Sequence, residues 1–281
     1  MTRSWVTRKI RFSVFIISLF SLVSIQAGSA FAEKLPDSLL PNFELGVGYQ
    51  LTHMKYTESG IEEKGFLNGL YLNATWHTPT YGMMLKLEGE VGVGTIDYDG
   101  ETWGGTPVSS SGDNQLLNLR FALGKDLDIS PTAAITPYLG LALRYWNDKQ
   151  DGSGGYERET TYYYLPIGIE LNIKPQDNMR LTFTAEYDFF LSGKNKSHLS
   201  DVSPGFNDVD LDQNSGMGFR LAARLVWDMQ TIAFTAEPFF RYWDIDESDR
   251  ALLTFWGQPV SNVVEPDNDT KIFGLRLGVL F

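Results

Sequence analysis

Acidic residues alternate along one short segment of this sequence, and such a spacing could supply oxygen ligands for a metal ion. In FNDVDLDQN, Asp208, Asp210 and Asp212 occupy every second position, as ligands do in calcium-binding loops. Such a loop also needs glycine at its sixth position and glutamate at its twelfth, where this sequence has Gln213 and Phe219. The mismatch favours a solvated acidic loop, and binding of divalent cations is the alternative.

A second set of residues that could do chemistry consists of acids and bases inside segments where polar and apolar residues alternate. Because alternate side chains of a strand point to opposite faces, these charges share one face of the predicted sheet. Isolated charges in a closed interior are costly, so we expect this set to pair across strands as one charge network. It comprises seven acids and seven bases: Glu44, Lys86, Glu88, Glu90, Arg120, Arg144, Glu170, Glu186, Asp188, Arg220, Arg224, Glu237, Arg241 and Arg276.

Ten alternating segments must position these charges, and they predict an all-β fold: an antiparallel transmembrane β-barrel of about ten strands, with eight or twelve as alternatives. The predicted strands are 42–55, 66–76, 83–96, 115–125, 135–146, 161–173, 180–191, 216–228, 231–243 and 271–281. Short connections alternate with long polar ones, as in barrels of the outer membrane. A water-soluble β-sandwich has the same period. In each segment one face is apolar and the other carries charges that a barrel would enclose. This arrangement favours lipid outside the barrel.

The tripeptide Arg-Tyr-Trp occurs twice, at 144–146 and at 241–243. Each copy places an arginine and a tryptophan two residues apart on the inward face, within reach of cation–π stacking. Packing at the mouth of the barrel is the first interpretation, and a site that stacks a ligand is the alternative.

The first 32 residues have the features of a secretory signal peptide. Basic residues precede an apolar stretch over 12–25, and Ala30 and Ala32 provide the small residues of a cleavage site. An uncleaved anchor is the alternative, but the stretch is shorter than the roughly 18–20 residues that a spanning helix needs. We therefore expect residues 1–32 to be removed and residues 33–281 to form one domain, which contains no cysteine.

The final segment, FGLRLGVLF, alternates apolar residues and ends on an aromatic residue. In this it resembles the C-terminal strand of bacterial outer-membrane β-barrel proteins. AEYDFFLSGKNKSHLSDVSPGFNDV and EPFFRYWDIDESD likewise resemble envelope barrel proteins of similar length, which bring no known activity with them. The resemblance implies an outer-membrane protein in contact with lipid, with both termini in the periplasm. It also implies that the barrel assembly machinery reads Phe273, Leu275, Leu277, Val279 and Phe281.

A loop-borne enzyme is the rival hypothesis, because the chain also resembles the omptin proteases, which are ten-stranded barrels. Those enzymes carry an Asp-x-Asp pair near the start of the second outer loop and an Asp-x-His pair in the fourth. Here Asp97 and Asp99 match the first pair, and His198 matches the histidine, but Lys196 replaces the second aspartate. Without that carboxylate the histidine lacks its orienting partner, which argues against general-base activation of water.

The sequence thus predicts a single-domain outer-membrane barrel that is not an enzyme and has neither a cofactor nor a nucleic-acid partner. The formal net charge is −12, and the excess of acid lies in the long connections, whereas the charges of the inward face balance. Barrels of this size have room for side chains or a narrow passage, not for a wide pore. The expected role is structural, adhesive or that of a narrow pore.

Overall fold

The computed structural model describes residues 39–101, 105–152 and 154–281; the predicted signal peptide lies outside them. Ten long antiparallel strands form a barrel, which is closed because its last strand pairs with its first. They are β1 (Phe43–Glu58), β2 (Ile61–Thr78), β3 (Met83–Glu101), β4 (Pro107–Lys125), β6 (Ala133–Gln150), β7 (Glu157–Gln176), β8 (Met179–Ser197), β10 (Gly216–Asp228), β11 (Ala233–Ile245) and β14 (Asn268–Leu280). The predicted all-β barrel of ten strands is confirmed.

Four short strands complete the numbering: β5 (Leu127–Ser130), β9 (Val209–Gln213), β12 (Ala251–Phe255) and β13 (Gln258–Val263). The β9 strand pairs with the last residues of β8, and β12 and β13 form a separate hairpin. Leu199, in a single 3₁₀ turn (Leu199–Asp201), packs with Val209, Leu211 and Leu253. The connections 198–215 and 246–267 therefore form a folded layer at one end of the barrel, here called the loop end, and the opposite end is the turn end. No helix among the described residues is long and apolar enough to cross a bilayer.

At the loop end the strands are longer than the sequence predicted. Residues 56–65, expected to be a loop, are the ends of β1 and β2 with a two-residue turn between them. The inward and outward alternation continues through this polar segment, since Tyr56 is only 1% exposed and Glu63 is likewise buried. These strand ends are polar because the wall extends here beyond the apolar band on its outward face. The polar composition therefore predicted a loop.

The closing strand β14 shows how the two faces of the wall differ. Leu277 is 51% exposed on the outward face, whereas its neighbour Arg276 is 3% exposed in the lumen. Gly278 and Gly48 face each other across the closing ladder, and a Cβ on either would collide with the Tyr71 side chain. Glycine at these two positions thus gives space to a tyrosine whose hydroxyl bonds with Thr235, 3.0 Å away.

Two prolines inside strands interrupt the hydrogen-bonded ladder without changing its register. Between β10 and β11 the pairing stops beside Pro238 and resumes in phase, and the β6–β7 ladder does the same beside Pro166. Proline has no N–H to donate, so one side of each strand loses a bond. A register shift occurs nearby in the β7–β8 pair, between Tyr163 and Tyr164.

Candidate functional site

The lumen holds a group of alternating acids and bases that we call the central network. Its members come from six strands: Glu88, Glu90, Arg120, Glu186, Arg220, Arg224, Glu237, Arg241 and Arg276. Strand alternation places all of them on the inward face, and the curvature of a closed barrel brings them within reach of one another.

Most arginines of the central network bridge two carboxylates. Arg220 contacts Glu88 at 3.2 Å and Glu237 at 3.1 Å. Arg276 contacts Glu237 at 2.7 Å and also pairs with Glu90. Arg120 joins Glu88 to Glu186 in the same way. The result is an unbroken chain of alternating charge that begins at Glu186 and ends where Arg241 pairs with Glu90.

Towards the turn end, two more ion pairs occupy the lumen. Lys86 pairs with Glu170, and Arg180 pairs with Glu44. Arg180 is not a member of the predicted charge network, although it lies on the inward face of β8. Two cavities of about 10 Å³ each lie among these charged side chains, and such a volume holds about one water molecule.

Two members of the predicted charge network do not pair as expected. Arg144 is 2% exposed, and its guanidinium donates no hydrogen bond within the described part of the chain. It lies 5.6 Å from the ring centre of Tyr162 and 5.8 Å from that of Trp243, so it stacks on the tryptophan of the other Arg-Tyr-Trp copy, rather than on its own Trp146. Asp188, also 2% exposed, forms no ion pair with any described residue.

A second charged group lies in the lumen at the loop end, and we call it the rim cluster. Arg158 stands among four carboxylates, 3.1 Å from Asp148 and 3.7 Å from both Glu58 and Glu265, and it also pairs with Glu63. The Arg158 guanidinium stacks 5.5 Å from the ring of Tyr56 and 5.8 Å from that of Trp146. Here one cation serves four acids.

Because the rim cluster has more carboxylates than cations, neutral groups donate hydrogen bonds to some of the carboxylates. The Tyr56 hydroxyl lies 2.6 Å from Glu58 and 3.1 Å from Glu265, and it can donate its one proton to either carboxylate. Burial, with Glu58 and Asp148 nearby, raises the pKa of Glu265 to about 7 despite the opposing charge of Arg158. Polar composition predicts loops for these residues and so hides the cluster, although the two-residue period continues from Trp146 to Asp148 and indicates it.

The acidic triplet at 208–212 does not form the calcium loop that its spacing suggests. Asp210 and Asp212 lie on β9 and face Lys194, at 3.4 Å and 3.8 Å. Asp208 turns away towards Ser200, which donates both its N–H and its hydroxyl to one carboxylate oxygen. The three carboxylates therefore have separate partners and do not converge.

The three residues of the protease hypothesis are not brought together. Asp97 and Asp99 are exposed on the outward face of β3, where Ser109 donates a hydrogen bond to Asp99. His198 follows β8, which lies four strands further round the barrel. The histidine does have carboxylate partners, because Asp208 lies 3.2 Å from its Nδ1 atom and Glu159 lies 2.8 Å from its Nε2 atom.

Comparison with known proteins supports the fold of this chain but not a specific role. No protein-family model matches the chain, and a search of curated proteins by sequence finds no match. Among solved structures it is similar to the outer membrane protease OmpT of Escherichia coli, with a TM-score of 0.57 and 8% identity over 90% of this chain and 99% of that one.

The toluene transporter TodX of Pseudomonas putida and the attachment invasion locus protein Ail of Yersinia pestis are also similar, at lower TM-scores of 0.36 and 0.35. Identity is 9% over 90% of this chain and 93% of TodX, and 10% over 85% of this chain and 99% of Ail. The fold of this chain is that of the bacterial outer-membrane β-barrels.

Proposed function

We propose that this chain is an integral outer-membrane protein without enzymatic activity, whose barrel is closed to solutes and whose role is structural or adhesive. The observation that carries the proposal is the unbroken chain of ion pairs across the lumen, from Glu186 to Arg241. Opening a passage would separate buried charges from their partners, and breaking one buried pair costs about 3–5 kcal/mol.

The outward surface supports the membrane location. Large apolar side chains such as Leu70, Leu139 and Leu277 are 49%, 62% and 51% exposed on the barrel wall. Exposure of this kind over a whole wall suits contact with lipid. In this orientation the loop end faces the cell exterior, and the start of β1 and the end of β14 lie on the periplasmic side, where the assembly machinery would read the strand that ends at Phe281.

The layer at the loop end supports the structural or adhesive part of the proposal. It is folded, with its own apolar contacts, and the β12–β13 hairpin displays Trp256 at 72% exposure and Val260 at 55%. Exposed apolar residues that lie together on one element can mark a surface that contacts a partner. Acidic residues surround this hairpin in sequence, so a partner with basic groups would suit it.

Conductance in planar bilayers tests the closed barrel. Refolded protein is expected to insert, as flotation with lipid vesicles would show, and yet to give no stable current steps. A double variant, Glu90→Ala with Arg276→Ala, removes two linked side chains from the lumen and is expected to conduct. Stable open steps from the wild-type protein would contradict the proposal and favour a narrow pore instead.

A further inference from the structure

A group of metal-binding side chains lies on the outward side of the wall at the loop end, apart from the lumen charges. Glu157, Glu159 and His198 each offer one ligand atom, and these three atoms all lie within 4.8 Å of one another. The β7–β8 ladder explains the grouping, since the His198 N–H continues it by donating to the Glu157 carbonyl at 2.9 Å. Glu157 and Glu159 share the outward face of β7 because Arg158 between them points into the lumen.

Both ring nitrogens of His198 lie next to carboxylates. Asp208 lies 3.2 Å from the Nδ1 atom and is itself held by Ser200, so it fixes the orientation of the ring. The Nε2 atom therefore points to the Glu159 carboxylate, 2.8 Å away. A metal ion bound by both atoms is one way to join them, and a direct ion pair is the other.

The outer contacts of the two glutamates favour the metal ion. Tyr145 donates to one oxygen of Glu159 at 3.0 Å, and Asn147 donates to one oxygen of Glu157 at 2.8 Å. Each ligand is therefore held from behind by a group that is not itself a ligand, which is the usual arrangement around protein metal sites. The side chains of His198 and Glu159 are 12% and 30% exposed, so an ion can reach them.

We propose that Glu157, Glu159 and His198 bind a divalent transition-metal ion of the Zn²⁺ class, with Asp208 as the positioning residue for His198. One imidazole nitrogen and two carboxylate oxygens form a mixed donor set that suits Zn²⁺ better than Ca²⁺, which prefers oxygen alone. Tetrahedral coordination needs ligand atoms about 3.4 Å apart, which small rotations of two part-exposed glutamates provide. The ion would fasten the start of the 198–215 connection to β7.

Calorimetric titration of the refolded, tag-free protein with Zn²⁺ tests this site. One saturable site is expected in the wild type, with Ca²⁺ binding at least tenfold more weakly. His198→Ala and Glu159→Gln should abolish the site, and Asp208→Asn should weaken it by about 10–100-fold. His53→Ala, which removes an imidazole from the outward face of β1, is the matched control and should bind as the wild type does.

Thermal unfolding separates a bound metal ion from a direct ion pair between His198 and Glu159. Zn²⁺ should raise the midpoint of the wild type and leave that of His198→Ala unchanged, because only an ion bound to the folded state stabilises it. The absence of saturable Zn²⁺ binding, or equal binding by His198→Ala, would overturn the proposal and leave an ion-paired histidine. This result is independent of whether the barrel conducts.

Discussion

The central network and the rim cluster use the same chemical groups in different proportions. In the central network four glutamates meet five arginines, and each bridging arginine has a carboxylate on two sides. In the rim cluster four carboxylates share Arg158, and neutral donors such as Tyr56 supply the remaining hydrogen bonds. Burial is similar in both, so charge balance is what distinguishes the two regions.

This difference has a physical consequence for each region. A buried ion pair is stable only when its partners replace the lost hydration, and the loss of one partner strands the other. The central network meets this condition with cations, so it should be sensitive to the removal of a charge. The rim cluster has acids in excess, so it should tolerate the removal of an acid and respond to pH.

The largest effect is expected from breaking the central network. Arg220→Leu leaves Glu88 and Glu237 each short of one partner, and it should lower the free energy of unfolding by about 3–5 kcal/mol. Urea unfolding of the protein refolded in lipid vesicles measures this. Lys64→Leu, which removes an exposed pair with Glu62 on the outward face, should change nothing measurable. Equal stability of Arg220→Leu and wild type would mean that these arginines face bulk water.

A charge on the barrel wall should have the next largest effect. Leu277→Arg places a cation in the apolar band of β14 and should cost about 2–4 kcal/mol near the bilayer midplane. Leu252 on β12 is a matched control, because it has the same 51% exposure but belongs to the loop-end hairpin. Leu252→Arg should refold in vesicles with wild-type yield and stability. If arginine were tolerated equally at both positions, the wall around Leu277 would not face lipid.

The pH dependence of the rim cluster should be smaller and of predictable sign. The pKa of Glu265 is raised from an ordinary 4.5 to about 7, so the folded protein retains a proton that the unfolded chain has released. This stabilisation is present below pH 4.5 and is lost as the pH rises through 7. Unfolding free energy should fall by roughly 1–3 kcal/mol from pH 5 to pH 8 on this account. Glu265→Gln should flatten that change, and an identical slope in the variant would refute the assignment.

The smallest effect is expected at Arg144, which pairs with no carboxylate among the described residues. Arg144→Leu therefore strands no acid, and it removes only stacking on Tyr162 and Trp243, which contributes about 0.5–2 kcal/mol while burial of the charge opposes it. The unfolding free energy should stay within about 1 kcal/mol of the wild type. A loss as large as that of Arg220→Leu, at equal burial, would show that burial rather than pairing governs both sites.

The barrel was predictable from the sequence because its signal is local. An alternation such as that from Phe273 to Phe281 identifies a strand and its two faces without knowledge of any other strand. Ten such segments with alternating short and long connections then define a closed antiparallel barrel. Polar composition hid the strand ends near Tyr56 and Arg158, and with them the rim cluster.

The partners of each charge could not be predicted, because pairing in a barrel depends on shear and on contacts across the lumen. Arg276 meets Glu90, from a strand three places away round the barrel, and no sequence spacing encodes that contact. Likewise, no sequence spacing predicts that Arg144 lacks an ion pair within the described residues or that His198 has two carboxylate partners. The alternation assigns the lumen charges to the inward face, but it does not identify the neighbours of each charge.

Thiol accessibility in the lumen tests the central claim most directly, namely that paired charges close the barrel to water-borne solutes. The chain has no cysteine, so a single Thr235→Cys variant carries one thiol, at a position 5% exposed on the inward face of β11. A small charged methanethiosulfonate should leave this thiol unmodified in the refolded protein and modify it after unfolding, whereas Ser109→Cys on the outer surface should react at once. Reaction of the Thr235→Cys thiol in the folded barrel, as fast as that of Ser109→Cys, would contradict a closed lumen.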